Sequence, residues 1–197
     1  MRVFISILLI FTALKVSATH NRAGEISYKQ IGINQFEITL TTYTRIETEA
    51  DRPFLTISWG DGAVDSLLRS PGFPQFISTD INKNQYTSIH TYPGPGTYTV
   101  SLEDPNRNNG IINIPNSVSV PFYIESQIII NPFLGTNNSP ILLNPPIDEA
   151  CVESIYQHNP SAFDGDGDSL AYALVNPRGE SGLIVPGYEL PAGLTIN

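Results

Sequence analysis

Two short runs constrain this chain more than any other feature: Ser58-Trp59-Gly60-Asp61-Gly62, and His90-Thr91-Tyr92-Pro93-Gly94-Pro95-Gly96-Thr97-Tyr98-Thr99-Val100-Ser101-Leu102. The first reads as a strand over residues 54–59 with Leu55, Ile57 and Trp59 on one face. A Gly-Asp-Gly turn breaks it, because glycine admits positive φ and an aspartate can bond its own backbone. The second run reads as a Pro/Gly turn feeding a strand in which Tyr98, Val100 and Leu102 face inward and Thr97, Thr99 and Ser101 face out. That alternation belongs to a half-buried antiparallel sheet.

Similar runs recur with turn signals between them, at residues 26–31, 36–43, 86–90 and 117–124, and no stretch has convincing helical periodicity. Short strands at this spacing predict an all-β antiparallel sandwich. Asn109-Gly110 reads as a hairpin turn, and residues 70–84, with Pro71, Gly72 and Pro74, as a surface loop.

The paired runs resemble the signature of the polycystic-kidney-disease (PKD) repeat, an immunoglobulin-like sandwich marked by Trp…Gly-Asp-Gly and His-Thr-Tyr…Gly-Thr-Tyr-Thr-Val. The resemblance implies an extracellular adhesion or spacer module and not an enzyme. His90 and Tyr92 are then turn-fixing residues, Asp61 a turn residue in preference to a carboxylate partner of Asp65, and Trp59 a core residue in preference to an exposed platform for sugar rings.

Met1 and Arg2 precede an apolar run over residues 3–14 that ends at Val16-Ser17-Ala18. At about a dozen residues this is too short for a bilayer span, which needs about 20, so residues 1–18 read as a secretory signal peptide. The chain carries 10 basic and 19 acidic residues, net −9; without Arg2 and Lys15 the balance is 8 against 19, net −11. An acidic surface disfavours nucleic acid and direct insertion in or binding to a membrane. It suits divalent cations instead. Cys151, the sole cysteine, reads as lacking its partner.

The expected organisation is a signal peptide (1–18), a PKD-like sandwich (19–127), a linker (128–140) through Gly135-Thr136-Asn137-Asn138-Ser139-Pro140, and an incomplete second sandwich (141–197). An immunoglobulin-like domain takes roughly 100 residues, more than this last stretch supplies.

Asp164-Gly165-Asp166-Gly167-Asp168 places carboxylates at alternate positions, where glycines let the backbone curl them towards one point. Asn137, Asn138, Asp148 and Glu149 are further oxygen donors. An EF-hand is excluded, since its sixth and twelfth positions would be Ser169 and Val175 in place of Gly and Glu. The run resembles the Asp-x-Asp segment of cadherin-like repeats, and Asn138-Ser139-Pro140-Ile141 their linker. That resemblance implies a Ca²⁺ ion held between domains by Asn138, Asp164, Asp166 and Asp168. The competing reading is a solvated turn whose aspartates cap backbone groups. Gly167-Asp168-Ser169-Leu170 also spells the nucleophile block of GDSL esterases, but no histidine follows Ser169 to act as base, and Leu170, Tyr172 and Leu174 predict a strand where a nucleophile elbow needs a helix. No pair among His20, His90 and His158 has metal-ligand spacing.

The start of the mature chain, Ala18 to Ile26, resembles that of large proteins exported by gliding bacteria of the Bacteroidetes type. The expected role is a secreted cell-surface adhesion or spacer module of a multi-repeat protein, stiffened by Ca²⁺, whose partner is a cell-surface protein or polysaccharide. The alternative is an accessory carbohydrate- or matrix-binding module of a secreted hydrolase.

Overall fold

A computed structural model describes residues 21–46, 52–105, 107–146 and 150–196. The expected signal peptide, His20, Asp148 and Glu149 lie outside the described residues. The chain runs β1 (Asn21–Gln30), β2 (Gln35–Arg45), β3 (Phe54–Ser58), β4 (Val64–Leu68), β5 (Gln75–Ser78), β6 (Ile81–Thr91), β7 (Gly96–Asp104) and β8 (Phe122–Ile130). These form two antiparallel four-stranded sheets, ordered β1-β2-β6-β5 and β4-β3-β7-β8. Strand for strand this is the ABED and C′CFG order of an immunoglobulin-like sandwich.

Alternation drives the packing. Phe36, Ile38 and Leu40 of β2 face Leu55 and Ile57 of β3, Val100 and Leu102 of β7, and Ile128 of β8 across the interior, all buried. Each such side chain contributes roughly 1.5–3 kcal/mol by leaving water. Tyr98 opens β7 and its hydroxyl donates to Gly94 O at 2.9 Å. That is a tyrosine corner, and in antibody domains the inter-sheet cysteine follows two residues later. Here Val100 stands at that place, fully buried.

The structure corrects several expected boundaries. Residues 117–124 do not form one strand: Ser117–Ser119 is a 3₁₀ turn entered through Asn116 at φ 49, and pairing begins only at Phe122, after Pro121, which has no N–H to give a ladder. The strand then runs to Ile130, so the expected edge at residue 127 falls inside β8, with Ile128 and Ile130 in the core. The expected loop over 70–84 contains β5 and the start of β6. Asn84 faces inward there and donates to Thr44 Oγ1 at 3.0 Å, so a polar residue occupies a core position. Gly110 takes φ 80 in the connection between β7 and β8, where no two-residue hairpin forms.

Beyond residue 140, the paired strands among the described residues are β9 (Ile141–Leu142) and β10 (Ala162–Phe163). The strand expected at Leu170, Tyr172 and Leu174 does not form; the three are exposed and lack a neighbouring strand to pair with. Cys151 is exposed and free. Residues 178–189 instead fold back on the first sandwich. Arg107, buried over the Phe122 ring, donates to Pro121 O at 2.8 Å and Arg178 O at 2.6 Å. Ser181 N donates to Glu103 Oε2 at 2.8 Å, and Val185 is 2% exposed.

Candidate functional site

After β8 the chain turns at Asn131, whose carbonyl accepts Leu134 N at 3.1 Å and whose Oδ1 accepts Phe133 N at 3.0 Å. It then lies along the outer edge of β1. Ser139 N donates to Tyr28 O at 3.0 Å, Tyr28 N donates to Ser139 Oγ at 2.8 Å, Gln30 N donates to Asn138 Oδ1 at 2.8 Å, and Asn137 N donates to Gln30 Oε1 at 3.1 Å. Pro140 favours an extended Ser139, which aligns the segment with the strand. Linker side chains thus fill the bonds that an added strand would otherwise make, a known way of blunting a sheet edge.

The acidic run meets this linker. Asp166 accepts Asn138 N on Oδ2 at 2.7 Å and Asn138 Nδ2 on Oδ1 at 2.9 Å. Asp164 Oδ1 accepts the N–H groups of Asp166 at 2.8 Å and of Asp168 at 3.2 Å, while Gly167 takes φ 85. The Tyr28 hydroxyl is pushed up, first by burial and then by the nearby charges of Asp164 and Asp166. Of the four expected ligands, Asn138 and Asp166 are therefore in direct contact, Asp164 holds the turn, and Asp168 enters this network through its backbone N–H.

A Ca²⁺ site needs about 6–8 converging oxygens. Asn138 offers Asp166 hydrogens, not lone pairs, and its Oδ1 is occupied by Gln30 N. Flipping the amide would set an oxygen against Asp166 Oδ1 and a donor against Gln30 N, so its orientation is fixed from both sides. Among the described residues no group of three or more His, Cys, Asp or Glu side chains is arranged to hold a metal ion. As arranged, these residues form a capped, hydrogen-bonded turn.

At the same end of the sandwich, the Gly-Asp-Gly turn and the His-Thr-Tyr run form one cluster. Asp61 Oδ1 accepts Ala63 N at 2.9 Å, and Asp61 Oδ2 lies 2.8 Å from His90 Nε2. Burial alone would raise the Asp61 carboxyl, but bonds from His90 and the backbone and the charge of His90 hold it below its ordinary value. The His90 ring stacks on Trp59 at 4.5 Å, and Trp59 Nε1 donates to Asp65 Oδ2 at 2.7 Å. Tyr92 donates to Trp59 O at 3.2 Å. Trp59 is 0% exposed, so it offers no face to a sugar ring. Gly60, at φ 84, lies so close to β7 that a Cβ would sit 2.5 Å from Thr99 N and O.

Two recesses carry no signal in the linear sequence. A 290 Å³ recess on the outer face of the second sheet is lined by Thr56, Ser58, Ser101, Glu103, Tyr123 and Ser181. Its hydroxyls come from alternate outward positions of three strands and from the folded-back segment. A 190 Å³ cavity at the far mouth of the sandwich includes Asn84, Arg52 and Asp104, the last two paired at 3.3 Å.

Comparison with family models, with curated proteins and with solved structures returned no match. No helix among the described residues is long and apolar enough to cross a membrane.

Proposed function

We propose that this chain is a spacer and adhesion module of a larger multi-repeat protein displayed at the cell surface, binding a surface protein or polysaccharide. The observation that carries this reading is the linker, a segment bonded along β1 through Asn138 and Ser139 and tied to the following acidic turn through Asp166. A connection of this kind fixes the angle between neighbours, which a spacer requires and a tethered enzyme does not. The Trp59–His90–Asp61 cluster supports it further, because Trp59 is fully buried and the His90 ring stacks on it, so these side chains are spent on packing the sandwich.

Joint stiffness in this reading comes from protein hydrogen bonds, with no ion required. A carbohydrate-binding accessory role is favoured by one feature only, the hydroxyl-lined recess of Thr56, Ser58 and Ser101. Antibody labelling of intact source cells, with attachment assays of a deletion strain on cell- and glycan-coated surfaces, tests both readings. Surface labelling with reduced attachment is expected. An internal protein, or attachment unchanged on every surface, would overturn the proposal, and a defect confined to glycan surfaces that Ser58→Trp and Ser101→Trp reproduce would favour the accessory role.

A further inference from the structure

The outward face of the second sheet is polar where β3, β7 and β8 run side by side, and the returning segment walls it on one side. Ser58 of β3 stands opposite Ser101 of β7, and Glu103 stands opposite Tyr123 of β8. Alternation sets Thr56, Ser58, Ser101 and Glu103 on the side away from Ile57, Val100 and Leu102, which fill the core. Together with Val64 and Ser181 they line the 290 Å³ recess.

The hydrogen bonds of this recess run in a fixed direction. Tyr123 donates its one O–H proton to Glu125 Oε2 at 2.9 Å, and Arg178 Nε holds the other oxygen of that carboxylate at 3.5 Å. The Tyr123 oxygen is then an acceptor, and the Ser101 hydroxyl bonded to it is the donor. Ser101 Oγ has spent its proton and keeps only lone pairs for the recess. Glu103 adds more of the same: its Oε2 accepts Ser181 N at 2.8 Å, and its exposure leaves Oε1 within reach of a ligand. Ser181 takes φ 53 at that bond, a strained backbone that persists only where its surroundings hold it. Gly182 follows at φ 72, where a Cβ would sit 2.9 Å from the Tyr123 hydroxyl.

We infer that this recess binds one ring of a neutral sugar, whose hydroxyl groups donate to Ser101 Oγ and Glu103 Oε1. An acceptor-rich site selects a molecule that brings O–H donors. An acidic sugar would meet Glu103 and a chain of net charge −9, so the ring is uncharged. The Thr56 and Ser58 hydroxyls serve as donor or acceptor to further ring oxygens. Val64, 60% exposed at the rim, meets the C–H surface that a sugar also carries. The volume falls just below the roughly 300–1,000 Å³ of sites for drug-sized ligands, which suits a single ring. The inference rests on the polysaccharide partner proposed above and serves an adhesion module and an accessory module alike.

Titration of the ¹⁵N-labelled full chain with tetrasaccharides of glucose, mannose, galactose and xylose, and with tetragalacturonate as the charged counterpart, tests this at low and high salt. A neutral tetrasaccharide should move the amides of Ser58, Ser101, Glu103 and Ser181 with Kd of about 10⁻⁴–10⁻³ M. An uncharged ligand binds equally at both salts, and tetragalacturonate should bind about tenfold more weakly or not at all. Glu103→Gln keeps an oxygen for Ser181 N but turns amide donors to the ring, and Ser101→Ala deletes an acceptor. Each should weaken binding about tenfold with an unchanged melting midpoint. If either variant fails to fold, the other decides. No shift with any neutral tetrasaccharide at about 20 mM, binding that falls with salt, shifts confined to another face, or folded variants that bind like the parent would overturn the inference. Absence of sugar binding would leave the adhesion reading its protein partner, whereas an internal protein that binds the sugar would end that reading and keep this site.

Discussion

His90 Nε2 and Asp61 Oδ2 lie 2.8 Å apart and tie the end of β6 to the turn that follows β3, so that, with the Tyr92 hydroxyl on Trp59 O, polar contacts stitch the two sheets together at one end. A carboxyl whose folded pKa is depressed stabilises the fold above its ordinary value of 3.8, and that contribution is lost as pH falls through the lowered value. Urea midpoints should therefore drop below about pH 4. Asp61→Asn should be less stable than the parent at pH 7 and show a flatter acid limb. Equal acid limbs would mean that the pair does not contribute.

Gly60 and Gly62 separate two reasons for glycine. Both have positive φ, but a Cβ on Gly62 meets open space and one on Gly60 meets the Thr99 backbone at 2.5 Å. Gly62→Ala should cost about 1–2 kcal/mol, from backbone strain alone. Gly60→Ala adds a clash with a buried strand and should cost about 2–5 kcal/mol in chemical denaturation. The reverse order would contradict the close approach.

Tyr98→Phe keeps the ring in its place in the core and deletes only the bond to Gly94 O. A loss of about 1 kcal/mol is expected. Thermal midpoints of the two proteins check it, and a larger loss would show that the hydroxyl organises more of the 93–96 turn than one bond.

Val185 anchors the folded-back segment at 2% exposure. Val185→Asp would bury a charge without a partner and should release residues 178–189. Amide exchange there should rise towards that of an unfolded chain while the Ile38 and Val100 amides stay protected. Uniform loosening of both regions would show instead that the segment and the sandwich unfold as one unit.

How far the fold is legible in the sequence follows from where polar residues stand. Strands β2, β3 and β7 announce themselves because Phe36, Ile38, Leu40, Leu55, Ile57, Val100 and Leu102 alternate without interruption. Strand β4 and the first half of β6 are silent, since Asp65 and Asn84 occupy inward positions. Their partners, Trp59 Nε1 and Thr44 Oγ1, come from other strands and cannot be seen locally. At the junction, sequence reasoning groups Asn138 with Asp164 and Asp166, and the structure sets Asn138 against Asp166 at 2.7 Å. What residue type alone cannot tell is the direction of the amide, which the distant Gln30 N–H decides. The return of residues 178–189 rests on one buried valine and on Arg107, too little pattern to read in advance.

Strand β1 begins beside the start of β8, where Asn21 O accepts Asn108 N at 3.2 Å and Gly24 lies against Phe122 and Ile124. The two strands therefore run in the same direction, and the chain enters the sandwich at one end and leaves it at the other. Pulled between Asn21 and Ile130, β1 would have to slide lengthwise along β2, and β8 along β7. Every ladder bond of those pairs would resist together in shear, where a hairpin opened from its free end yields one rung at a time. A molecule stretched between two anchored surfaces would thus meet tension along its strongest axis.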